Sequence, residues 1–98
     1  MKKVTKPKVK LLAMGKQFTA KQMEAKAGEL LPKHLANIES VLILLGGECV
    51  LVLADTDHVL KQGDSFIIPP GIGHQIRVID DFKAVHVMPN DIEFKFFE

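Results

Sequence analysis

The stretch GDSFIIPPGIGH, from Gly63 to His74, compresses a turn, an apolar strand, a rigid corner and a histidine into twelve residues. Gly63-Asp64 is turn chemistry, Ser65 to Ile68 is strand-forming, and Pro69-Pro70-Gly71 presets the backbone and permits a positive φ before the chain re-enters a strand at His74. The corner therefore delivers His74 at a defined position.

Outward from this corner the pattern stays the same. Short segments of period two alternate with Gly, Pro and Asp, and no stretch holds apolar residues at helical spacing for three turns. The chain reads as all-β. Strands are expected near Val9–Met14, Phe18–Ala27, Lys33–Ala36, Ser40–Leu45, Cys49–Ala54, His58–Lys61, Ser65–Ile68, His74–Ile79, Phe82–Met88 and Ile92–Phe97. Gly46-Gly47 and Asp55-Thr56-Asp57 read as hairpin turns, and Asp80-Asp81 as a further turn between strands. Many short antiparallel strands at regular spacing form a sandwich or a barrel, and periodicity does not separate the two.

The 98 residues suffice for one domain, 47% hydrophobic and 26% charged. The longest apolar run, Val41 to Leu45, is far too short to cross a bilayer, and the N-terminus shows no apolar segment of a secretory signal, so a cytoplasmic location is expected. Of the 13 cations, Lys2, Lys3, Lys6, Lys8 and Lys10 fall in the first ten residues with no acid among them, and the remainder of the chain is net acidic. Residues 1–10 read as a solvated, partly flexible basic arm preceding a single barrel domain at 11–98. Without aromatic interleaving, and with Pro7 against an amphipathic helix, the arm predicts neither a nucleic-acid partner nor a membrane.

The corner's spacing, glycine, five residues, proline, one residue, glycine, two residues, histidine, resembles the second motif of the cupin superfamily, whose final histidine is a ligand in metal-binding members. A degraded first motif lies upstream in GELLPKHLANIESVLILLGGE. In the family it runs glycine, five residues, His-x-His, three or four residues, Glu, six residues, Gly. Here Gly28 leads to His34 in the place of the first histidine, and Ala36 stands where the second would be. With Gly47 as the closing glycine the glutamate position falls on Ser40; with Gly46 it falls on Glu39. The resemblance covers about residues 25–88. It implies an antiparallel double-stranded β-helix, the jelly-roll barrel of the cupins.

The resemblance implies a metal site built on His34 and His74, with Glu39 as a conditional third ligand; His86, from its place in the late strand, is the other candidate to complete it. His34, Ala36, Ser40, Leu42 and Leu44 share parity, so Glu39 faces His34 only if a bulge or turn near Asn37 shifts the alternation. His86, in FKAVHVM, either turns into the barrel beside His74 or lies on an outer face or subunit contact. A divalent ion such as Zn, Fe, Mn or Ni needs about three protein donors, so the missing histidine leaves an incomplete set. His58 reads as an exposed strand histidine, and Cys49 as a buried strand thiol. No nucleophile elbow, phosphate loop or C-x-x-C pair is present.

Two functions fit. The first is a module binding a small molecule in the barrel mouth, walled by Leu42, Leu44, Ile76 and Val78. The second is a metal-dependent dioxygenase or isomerase using His34, His74 and a third ligand. A homodimer is expected, with the N- or C-terminal strands burying an apolar stripe that includes Ile92, Phe94 and Phe96.

Overall fold

In the computed structural model, which describes residues 3–97, the alternating segments form eight strands and no helix. These are β1 (Lys8–Met14), β2 (Phe18–Ala25), β3 (His34–Ala36), β4 (Ser40–Leu53), β5 (Thr56–Lys61), β6 (Ser65–Ile68), β7 (His74–Pro89) and β8 (Phe94–Phe96). Every strand pairing is antiparallel. Among the described residues no helix is long and apolar enough to cross a membrane.

Two expected turns are absent. Gly46-Gly47 and Asp80-Asp81 lie inside the long strands β4 and β7, which pair with one another from Val41↔Val87 through Leu53↔His74. The pairing shifts register between Leu44 and Gly46, between Gly46 and Glu48, and between Glu48 and Cys49. A glycine inside a strand marks a bulge or a close backbone approach, and Gly47 is both. Its φ is +81°, and a Cβ there would collide with the Asp81 carbonyl oxygen. The glycines thus bend a continuous strand rather than end it.

That bend builds the barrel, because each long strand passes from one sheet to the other. The C-terminal half of β7 and the N-terminal half of β4 join β2, β1 and β6. The opposite halves join β3, β8 and β5. Between the sheets lies a core that includes Leu42, Leu44, Cys49, Leu51, Val78 and Ala84. Cys49 is fully buried, and burial, with a smaller contribution from Glu48, pushes its thiol up to about 11, so it is a packing residue.

The expected arm divides. Met1 and Lys2 lie outside the described residues, whereas Val4 bridges Leu30 and the Thr5 amide donates to the Leu30 carbonyl at 2.8 Å. Lys8 and Lys10 already belong to β1. Leu11, Leu12 and Met14 on that strand are 57%, 44% and 68% exposed, and β1 is an edge of the sheet.

Candidate functional site

The Pro69-Pro70-Gly71 corner is tied to β3, because the Gly71 amide donates to the Ala36 carbonyl at 2.8 Å with Gly71 at φ +75°. That bond holds the start of β7 against β3. His34 and His74 consequently become direct cross-strand partners, with ring centroids 4.4 Å apart at an interplanar angle of 64°.

Both imidazoles are oriented from behind. His34 Nδ1 lies 3.1 Å from the Pro32 carbonyl and His74 Nδ1 3.3 Å from the Ile72 carbonyl. A carbonyl only accepts, so each neutral ring donates from Nδ1 and keeps its Nε2 lone pair for a ligand. Burial lowers the pKa of both below the usual histidine value, and for His74 the neighbouring His34 adds to the effect. The pair is therefore held neutral.

His86 faces inward on β7 and is 8% exposed. Its Nε2 is 2.8 Å from the Ser40 hydroxyl. Burial first, then His34, His74 and Lys21, push its pKa down to about 4. Ser40, and not Glu39, takes the inward place at the start of β4; Glu39 is exposed and does not line the cavity. The parity argument decides this, since the bend at Asn37-Ile38 leaves Ser40, Leu42 and Leu44 together on the buried face. His58 is half-buried and stacks on Phe66 with ring centroids 4.9 Å apart, away from the cavity.

The three inward histidines border a cavity of about 600 Å³. Leu42 and Ile76 line it, whereas Leu44 and Val78, which were expected to, lie in the closed core. Two phenyl rings were missed at the sequence level. Phe94 and Phe96 on β8 line the mouth, with centroids 5.4 Å and 5.0 Å from His34. Phe94 is the cross-strand partner of Ala36. Where the resemblance would put a second histidine, the chain thus has a methyl group facing a phenyl ring. The alternation of Ile92, Phe94 and Phe96 carried the signal, but it reads equally as a stripe on an outer face.

This donor set does not fit a resident divalent ion. Two imidazoles converge, and among the described residues no group of three His, Cys, Asp or Glu side chains is placed to hold a metal.

A family model described as the cupin domain matches residues 21–88. No curated protein matches the sequence. Among solved structures, a double-stranded β-helix protein from Klebsiella pneumoniae superimposes with a TM-score of 0.83 at 20% identity, covering 95% of this chain and 85% of that one. A cupin superfamily protein from Desulfitobacterium hafniense gives 0.79 at 19% identity, over 93% and 84% of the two chains. A mutant salicylate 1,2-dioxygenase from Pseudoaminobacter salicylatoxidans in complex with gentisate gives 0.83 at 11% identity. It is a longer protein: 92% of this chain aligns with 29% of the dioxygenase. At these identities the likeness establishes the fold alone, whereas the family match extends over most of the sequence. The corner, the barrel and the domain match agree, and the chain belongs to the cupin family.

Proposed function

We propose that this protein binds a small organic molecule in its barrel mouth, as a binding module without a built-in metal centre. The observation that carries the reading is the cavity of about 600 Å³, in which two neutral imidazoles offer acceptors against an apolar wall. Its volume falls within the range of small-molecule sites. The dioxygenase with gentisate is a protein of this fold with a small organic ligand. A metal-dependent dioxygenase or isomerase has only the His34–His74 pair in its favour, and its third donor is missing.

The test is a fragment screen read by the imidazole NMR resonances of His34, His74 and His86. Ligands are expected to shift these resonances and raise Tm, and His34→Ala to weaken them. A library whose hits leave all three resonances unmoved overturns the reading.

A homodimer joined along β1 accompanies this proposal. The strand leaves Leu11, Leu12 and Met14 exposed at an open edge, which is both unpaired backbone and apolar surface, whereas Val9 lines the cavity. The C-terminal stripe contributes less, since Phe94 and Phe96 turn toward the cavity.

A further inference from the structure

The inner face of β2 carries one residue out of keeping with its neighbours. Thr19, Lys21, Met23 and Ala25 sit across from Met88, His86, Ala84 and Phe82 of β7, all on the concave side. Thr19 and Ala25 are buried there, so Lys21 occupies a position that alternation reserves for the interior. On its other side it faces Leu11 of β1, and its β7 partner is His86. Neither neutralises it.

A second lysine reaches the same cavity. Lys6 lines it because the preceding residue is anchored, the Thr5 amide on the Leu30 carbonyl and the Thr5 hydroxyl on Glu29 at 3.1 Å. Among the described residues no Asp or Glu lines this cavity, and neither Lys6 nor Lys21 makes an ion pair. Two exposed ammonium groups thus stand at the rim of an apolar pocket without internal counter-ions. Low-dielectric walls focus such a field and favour an anion at the entrance.

The imidazole pair has the opposite character. His34 and His74 present Nε2 lone pairs, which repel a carboxylate and accept from a hydroxyl. The site therefore combines positive charge on Lys6 and Lys21 with acceptors on His34 and His74.

We propose that the cavity selects a small carboxylate on an apolar or planar body, its charged end at Lys6 and Lys21 and its body against Phe94 and Phe96, reaching toward His34 and His74. This rests on reading the mouth as a small-molecule site and adds the ligand's charge, class and orientation. Phenyl faces flanking His34 suit a flat body.

The test uses matched probes, benzoate against benzamide and hexanoate against hexanamide, by calorimetry and imidazole NMR at low and high salt. Each carboxylate is expected to bind about tenfold more tightly than its amide at low ionic strength, with the margin shrinking in salt. Lys6→Gln combined with Lys21→Gln should bring the carboxylates down to the amides and leave the amides unchanged, which also shows that the variant is folded. Amides that bind as tightly as carboxylates, or a preference that survives the double variant, overturn the charge assignment while the binding reading stands. If none of the four probes moves the histidine resonances, both fall.

Discussion

His34 and His74 are cross-strand partners whose rings meet edge to face with centroids 4.4 Å apart, each ring held from behind by a backbone carbonyl two residues upstream. The pairing follows from the proline corner, and it presents two lone pairs side by side without a third donor.

Added zinc is therefore expected to bind weakly and at this pair. His74→Ala should lower the affinity by at least about tenfold in a calorimetric titration, a loss of the size metal sites show when a supporting contact is removed. Equal heats from wild type and variant would place the ion elsewhere.

Gly47→Ala is expected to be among the most damaging substitutions in the chain. The new methyl would collide with the Asp81 carbonyl oxygen, and the +81° φ adds its own penalty. A loss of roughly 3 kcal/mol or more in urea unfolding is expected, in the range reserved for strained backbone. Gly28→Ala is the control. It shares a positive φ of +89° but meets nothing within 4 Å, so it should cost only about 1–2 kcal/mol.

Stability should fall as the solution is acidified below neutrality. His34, His74 and His86 all have lowered pKa values when folded, so the unfolded chain binds more protons between the ordinary histidine value and the folded one. Their stabilising contribution is complete above the unfolded value of 6.5 and is lost as pH falls toward the folded value, about 4 for His86. For His86 alone the span corresponds to about 3 kcal/mol. His86→Gln should flatten the dependence of Tm on pH over that window; an unchanged slope would show that His86 does not carry it.

Light scattering at micromolar concentration should give twice the chain mass of 10.9 kDa. Leu11→Asp, on the exposed edge, is expected to return the protein to monomer without lowering its stability by more than about 0.5 kcal/mol. A wild type that scatters as a monomer would remove the dimer.

Much of the barrel was legible in the residues because strand alternation and turn chemistry are local. β6 and the inward facing of His74 follow from the spacing around Pro69-Pro70-Gly71, and the β4–β5 hairpin from Asp55-Thr56-Asp57, although the turn proves to be Ala54-Asp55, with Thr56 and Asp57 already in β5. The two strand breaks at Gly46-Gly47 and Asp80-Asp81 were misread for a physical reason. A glycine at a bulge and a glycine in a hairpin both supply positive φ, and only the partner strand distinguishes them. Glu39 against Ser40 was a question of parity, and parity across a bend is set by what the next strand pairs with.

The sequence carries the all-β reading and, through the Pro69-Pro70-Gly71 corner that delivers His74 and a first motif reduced to His34, the resemblance to the cupins. Its period-two pattern and its proline-glycine spacing act within a few residues of one another. Only folding brings His86 to the cavity with its Nε2 on the Ser40 hydroxyl, pairs Phe94 with Ala36, and carries Lys6 and Lys21 to the same cavity. Those relationships link residues far apart along the chain, and they exist only once β4 and β7 have bent and carried their neighbours from one sheet to the other.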